Sequence, residues 1–216
     1  MSLKIYHLLF NKALGTYPAL IRYGYELFCY LAHDYPELVI KYMDALCDFE
    51  LFRIIKFAPY KLTFVALVDG IPSSNDGLMF SPEFTEKFLY PRIKKLIQAW
   101  KSYGYYVIFF ADGYKWPLID EILSYGSDAI DPCELLANMD VKKFREKYPN
   151  SVIGQMIDCQ NLLAFGTPDQ VKKATLKAIV ESGGAKTLIS STSEIHPEVK
   201  LENALAMYST AKNYKF

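Results

Sequence analysis

The sequence predicts an α/β fold in which parallel strands alternate with helices, and three features carry that expectation. Five short, mainly apolar runs lack the in/out alternation of a half-exposed strand: residues 62–68, 105–111, 127–130, 152–157 and 186–189. Continuous runs of this kind suit strands covered on both faces, as in parallel sheets. Each run stops at an acidic or small polar residue: Asp69, Asp112, Asp131, Asp158, and the stretch from Ser190 to Glu194. Helical sequence then follows, and strand–helix alternation is the mark of βα units. Ligands of such folds meet the carboxyl ends of the strands. The acids and hydroxyls at those ends therefore mark where function is expected.

Taken in order, residues 4–10 read as a first strand, followed by a loop with Gly15 and Pro18 and helical sequence over 20–32. Pro36 opens a second helix, at a position where its missing N–H costs nothing, and that helix runs to about Phe57 before Pro59 ends it. The strand at 62–68 leads into a loop, residues 70–77, rich in turn formers. Ser81 and Pro82 form a helix start of N-cap and first-turn proline. That helix should reach Ser102, with a kink or break near Tyr90 because Pro91 falls inside it. The strand at 105–111 is followed by a helix over 116–125, stopped by Gly126. After the strand at 127–130, Asp140 should cap a short helix over 141–147. The strand at 152–157 precedes a loop or short helix at 160–165. Thr167 with Gln170 then gives the capping pattern of a long helix that Gly183 and Gly184 terminate. The strand at 186–189 and a last helix over 201–212 complete the chain. Six βα units fall short of the eight in a closed parallel barrel and leave two parallel edges unpaired. The chain is therefore expected to be incomplete at its front or to be completed by another chain.

The bulk properties narrow the function classes. Lys plus Arg equals Asp plus Glu, 24 of each, so no basic surplus points to nucleic acid or an acidic membrane. No stretch approaches the roughly 18 apolar residues of a membrane helix. Lys4, Tyr6, His7, Asn11 and Lys12 break up any signal-peptide layout at the N-terminus. A cytoplasmic protein is expected. Cys29, Cys47, Cys133 and Cys159 form no CxxC pair, which fits reduced thiols. Cys133 and Cys159 follow strand ends but lack an identifiable set of further metal ligands, so small packing residues are the expectation and no metal site is assigned.

Asp69, Asp112 and Asp158 are the leading site candidates. A carboxylate at a strand's carboxyl end can orient a substrate, exchange a proton or hold a hydrated cation; it can equally cap the turn that follows. Asp112 and Asp69 are taken as catalytic candidates, and Asp158, Gln155 and Gly113 as substrate-binding ones. Glu194 and His196, in the last loop, could pair with a ligand's carboxylate or phosphate, or lie exposed as a loop pair. His33 is expected at a helix end, where its charge favours the dipole. Arg22 and Arg92 could touch anionic substrates, but surface ion pairs are the default expectation.

Four segments together resemble the uroporphyrinogen decarboxylase superfamily, which also holds corrinoid- and coenzyme M-linked methyltransferases. They are residues 80–84 with 91–95; residues 107–113 with 123–132; residues 153–158 with 165–171; and residues 202–207. The resemblance implies a single domain over residues 1–216, a (β/α)8 TIM-type barrel lacking its first two βα units, with strands three to eight present. It also shows departures. A family tyrosine falls near Leu20, with Tyr17 and Tyr23 close by, so Tyr17 joins the substrate-binding candidates. A family histidine falls at Ser193, with His196 three residues on. The methyltransferases' His-x-Cys zinc ligands fall on Phe110 and Asp112, and their later Cys on the Thr192–Ser193 stretch. Phe cannot bind a metal, so thiolate zinc is not expected.

What the resemblance implies for function is a barrel protein of tetrapyrrole- or corrinoid-related metabolism with most recognised catalytic residues absent. A zinc-less methyltransferase relative and a non-catalytic ligand- or partner-binding relative are the alternatives. A lyase or methyltransferase type of activity, a small-molecule substrate, no resident cofactor and a corrinoid as the one carrier to consider follow from it. So do a homodimer or a partner chain supplying missing strands.

Overall fold

A computed structural model describes residues 9–12 and 24–215. The chain divides into two compact units, the first holding residues 1–73, 78–111 and 117–128, the second residues 74–77, 112–116 and 129–216. His7, Tyr17, Leu20, Arg22 and Tyr23 lie outside the described residues.

In the first unit, strands β1 (Leu9–Lys12), β2 (Val65–Asp69) and β3 (Tyr106–Phe110) form a parallel sheet in sequence order. Leu9 stands opposite Ala66, and Asp69 opposite Phe110. The last residues of β2 and β3 thus sit side by side. The same unit holds helices α1 (Tyr25–Asp34), α2 (Pro36–Phe57), α3 (Tyr90–Ser102) and, from its second residue on, α4 (Trp116–Ser124); α3 packs on β2 and β3, α2 on α3, and α1 on α2. The inner face of α2 buries Val39, Met43, Cys47 and Ile54; α3 buries Ile93, Leu96, Ile97 and Trp100. Both strands are apolar through their centres, with Ala66 and Val68 on β2 and Val107 and Phe109 on β3 essentially without surface. Burial without alternation is what a sheet covered on both faces requires.

The expected break near Tyr90 is present as a wide five-residue helical turn, Thr85–Leu89, between the helical turn Pro82–Phe84 and α3. Pro91 has no N–H to give the preceding turn. Arg92 replaces it: its Nη1 donates to the Phe88 carbonyl at 2.9 Å and the Lys87 carbonyl at 3.4 Å. The expectation of a surface ion pair for Arg92 is thereby corrected. The residue is 4% exposed, reaches the Ile40 carbonyl and pairs with Asp44 at 2.8 Å, so it binds α3 to α2. His33 does lie in the last turn of α1, beside Asp34.

In the second unit, β4 (Ala129–Asp131), β5 (Val152–Gly154) and β6 (Thr187–Leu188) form a parallel sheet, again in sequence order. Helices α5 (Val141–Lys147), α6 (Pro168–Glu181) and α7 (Leu201–Asn213) accompany them. The caps fall where the sequence places them. Asp140 accepts from the Lys143 N–H at 2.7 Å, and Thr167 with Gln170 completes a reciprocal capping box. Gly183 and Gly184 end α6 at φ of 73° and 69°, which glycine adopts without strain.

Several strand bounds differ from expectation. The first strand runs on to Lys12 rather than ending at Phe10, and the second begins at Val65 rather than Leu62, after the Thr63 hydroxyl accepts the Val65 N–H at 3.2 Å. The fourth begins at Ala129 rather than Ser127, because Asp128 is drawn aside: its carboxylate takes Lys101 Nζ at 2.7 Å and the Val107 N–H at 2.8 Å. The fifth ends at Gly154 rather than Ile157, because Gln155 turns to φ 49° and breaks the extended run.

Candidate functional site

The side chains that interact most strongly gather in the second unit, on the turns that follow β3 and β4. Gly113, at φ 76°, makes the tight turn after Asp112. That turn carries Lys115 inward, where it has no exposed surface at all. A buried ammonium must find acceptors. Lys115 Nζ donates to the Gly113 carbonyl at 2.9 Å and the Pro132 carbonyl at 2.6 Å. One lysine thus joins the turn after β3 to the turn after β4. Glu134, half-buried, closes the same link from the other side by accepting the Gly113 N–H.

Charge follows this architecture. Burial pulls the Lys115 ammonium down to about 8, against the opposing pull of Glu134, Cys133, Asp112 and Asp131. Asp131, the last residue of β4, is 3% exposed, and its Oδ1 has no hydrogen-bond partner. Burial pushes its carboxyl up to about 7, with Lys115 drawing it back. Gly154 on β5 faces this oxygen closely: a Cβ there would stand 2.4 Å from Asp131 Oδ1. Glycine is required by that approach rather than by its dihedral angles.

Asp112 lies at the edge of the cluster. The residue as a whole is exposed. Packed atoms around the carboxyl nonetheless raise it above its ordinary value, helped by the negative charges of Glu134 and Glu194 and opposed by Lys115. The structure therefore brings Asp112, Gly113 and Glu194 into one electrostatic neighbourhood with Lys115, Asp131 and Glu134. Sequence reading missed Lys115 and Glu134. The one signal for Lys115 was a lysine three residues past a strand-end aspartate. Asp131 was visible as a strand end but was not singled out.

The other candidates are placed differently. Asp158 is a cap: its carboxylate accepts from the N–H groups of Gln160, Asn161 and Leu162 and opens the helical turn Cys159–Leu163. Gln155 has a buried Oε1 without a partner. Ser193 donates to Glu194, holding that carboxyl low together with its own backbone. His196 faces the Glu198 carboxylate at 2.8 Å through Nδ1 and the Cys159 carbonyl at 3.1 Å through Nε2. Two acceptors are satisfied together only by the doubly protonated ring, and the Glu198 hydrogen bond raises its pKa accordingly. Asp69 ends β2 in the first unit, in register with Lys12 of β1 on one side and Phe110 of β3 on the other.

The thiols near the strand ends are buried. Cys133 is buried, donates to the Met139 carbonyl and is pushed up to about 12; Cys159 is buried against Thr192. Among the described residues, no group of three or more His, Cys, Asp and Glu side chains is placed to hold a metal ion. A cavity of about 480 Å³ runs along β6, lined in part by Leu188, Ile189, Tyr208 and Tyr214. Neither the Lys115 cluster nor Asp158, Gln155, Ser193, Glu194 or His196 borders it.

The sequence model of the family described as uroporphyrinogen decarboxylase (URO-D) matches residues 18–214. The chain belongs to the URO-D family. Its structure is similar to that of a methyltransferase from Methanosarcina mazei, with a TM-score of 0.76 over 98% of this chain at 15% sequence identity. A likeness at that identity concerns the fold, and the fold is thus an α/β, URO-D-like one with parallel strands. The chain spans 60% of that methyltransferase's length. Among curated proteins no match was found. No helix among the described residues is long and apolar enough to cross a membrane.

Proposed function

We propose that this chain carries the proton-transfer site of a URO-D-type enzyme. Asp112 exchanges the proton with the substrate; Lys115, with Asp131 and Glu134 around it, is the buried cation that positions the turn and sets the local field. The observation that supports this reading is the fully buried Lys115 joining the turns after two strands, with Asp112 raised beside it. Burial and charge arranged to bring an acid toward neutrality are what general acid–base chemistry needs. Gly113 and Glu194 share the same electrostatic neighbourhood, and Asp69, in the first unit, is given no part in the step.

Within that class, methyl transfer to a thiol is favoured over decarboxylation of a tetrapyrrole. Asp112, Glu134 and Glu194 gather negative charge beside Lys115, which donates to backbone carbonyls. Repulsion from that charge disfavours a carboxylate-rich substrate at this turn. In methyl transfer, the thiol proton passes to the Asp112 carboxylate. The sulfur electron pair then forms the S–C bond, and the donor–methyl bond breaks with its electrons leaving on the donor. A corrinoid is one such donor. The reading includes a (β/α)8 barrel of which this chain supplies strands three to eight, in a cytoplasmic setting.

The test is a thioether assay with a methyl-corrinoid and a small thiol, followed by mass spectrometry. Turnover that falls at least 100-fold in Asp112→Asn supports the reading. Carbon dioxide release from a porphyrinogen, with no thioether formed, favours the lyase instead. Absence of both activities would leave a ligand-binding relative as the better description.

A further inference from the structure

The loop after β6 is tied down at both ends and held in the middle by one side chain. At its start, the Thr192 N–H donates to the Ile157 carbonyl at 2.8 Å, and the Thr192 hydroxyl accepts the Cys159 N–H at 3.3 Å. At its end, the Lys200 N–H donates to the Leu163 carbonyl at 3.2 Å. Asn203, in the first turn of α7, donates to the Leu163 and Gly166 carbonyls, each at 3.0 Å. These are backbone, hydroxyl and amide groups, so none of the ties changes with pH near neutrality. Between them, residues 193–199 have no regular secondary structure, and Glu194, Ile195, Pro197 and Glu198 are exposed. Among the described residues, this span makes one hydrogen bond to another element: His196 Nε2 to the Cys159 carbonyl at 3.1 Å.

That bond depends on a proton. A neutral imidazole has one N–H and one lone pair, so it cannot serve both the Glu198 carboxylate and the Cys159 carbonyl. The carboxylate is the stronger acceptor, and Glu198 lies two residues along the same loop. The neutral ring therefore keeps Glu198 and leaves a bare Nε2 facing the Cys159 carbonyl, where two acceptors repel. We propose that His196 is a pH-operated latch: the imidazolium holds residues 193–199 against the turn after β5, and loss of its proton releases them between hinges at Thr192 and Lys200. The charges acting on the ring are Glu198 and Glu194, from its own loop. In the turn after β5, Asp158 is occupied by three backbone N–H groups. At the start of α7, the Lys200 ammonium is turned to the Phe165 and Gly166 carbonyls. The Glu198 hydrogen bond raises the imidazole above its ordinary 6.5. The latch is therefore shut up to that pH and opens as pH rises through the higher folded value. Glu194 travels with the released span, and its charge is one of those that raise Asp112. Release thus lowers Asp112. What this means for turnover rests on the proton-transfer reading; the latch itself does not.

Amide hydrogen exchange of the full chain, read by NMR from about pH 6 to about pH 9, is the test. The Val199 N–H is the reporter, because it donates to the His196 carbonyl at 3.0 Å inside the span. Its protection factor, corrected for the intrinsic pH dependence of exchange, should fall at least tenfold through the pH at which the His196 ring titrates. In Glu198→Gln the new amide can donate to Nδ1 of the neutral ring and leave Nε2–H for the Cys159 carbonyl. That variant should stay latched, with protection constant within twofold over the whole range. His196→Ala should show the low, released protection at every pH, and Asp112 should titrate below its wild-type position. Should His196→Ala fail to fold, Glu198→Gln carries the test. Wild-type protection that ignores the His196 titration overturns the proposal, as does a Glu198→Gln protein that still releases. An Asp112 unmoved in His196→Ala overturns the coupling of the latch to the site. An Asp112 already at its ordinary 3.8 in the wild type counts against the proton-transfer reading instead.

Discussion

Asp112 and Asp158 follow the same sequence pattern, an apolar run ended by an aspartate, and the fold uses them in opposite ways. Three backbone N–H groups of the helical turn that begins at Cys159 surround the Asp158 carboxylate. Asp112 lies instead beside Glu134 and Glu194, and its carboxyl is raised. What separates them is the backbone that follows. A helical turn beginning at once presents free N–H groups and takes the carboxylate as a cap. The Gly113 turn presents its N–H to Glu134 and turns Lys115 into the interior. A strand-end aspartate thus takes its chemical surroundings from the turn that follows it.

Substitutions can break this contrast, beginning with the largest expected effect. Lys115→Met removes the cation but leaves Asp131, Glu134 and two carbonyls around the space. Removing one partner from a buried charged cluster costs about 3–5 kcal/mol, so denaturant unfolding should show a loss of that order, and Asp112 should titrate still higher.

The pH dependence of stability tests the same cluster in the wild type. Asp131 binds its proton more tightly folded than unfolded, with a folded value of about 7 against an ordinary 3.8. Its contribution therefore declines as pH rises from about 4 to about 7. Lys115 releases its proton more readily when folded, at about 8 against 10.5, so its burden is full below 8 and lifts as pH rises toward 10.5. The melting temperature should pass through a trough between pH 7 and 8. Asp131→Asn should flatten the acid side of that trough; an unchanged profile in the variant would assign the slope to other groups.

Smaller effects follow. Gly154→Ala places a Cβ 2.4 Å from Asp131 Oδ1 and 3.1 Å from Leu188 Cβ, and overpacking of this kind costs about 1–3 kcal/mol. Because Asp131 is short and enclosed, it has little room to yield, and the loss should shrink in Gly154→Ala combined with Asp131→Ala. Asp158→Ala should cost about 1 kcal/mol, the usual value of an N-cap, and leave turnover within twofold. A larger fall in turnover would mean that Asp158 does chemistry as well as capping.

Much of the architecture was legible because it is written locally. Asp140, Thr167 with Gln170, Gly183 and Gly184, and the break before Pro91 each act within a few residues, and each appears where the sequence puts it. The strand centres were legible for the same reason, since continuous apolar runs report two-sided burial. Strand ends were not. Gln155 adopts a left-handed conformation with no glycine to announce it, and Asp128 leaves its strand for Lys101, 27 residues away. The proposed site was only half legible. Asp112, Gly113 and Glu194 could be named from position, but Lys115 and Glu134 acquire meaning only when the turns after β3 and β4 meet. No local pattern encodes that meeting.

The most direct measurement is the titration of the Asp112 carboxyl by ¹³C NMR, in the wild type and in Glu134→Gln. A proton-transfer site requires Asp112 to titrate above its ordinary 3.8 and to move down when the Glu134 charge is removed. An Asp112 that titrates at the ordinary value in both proteins would contradict it.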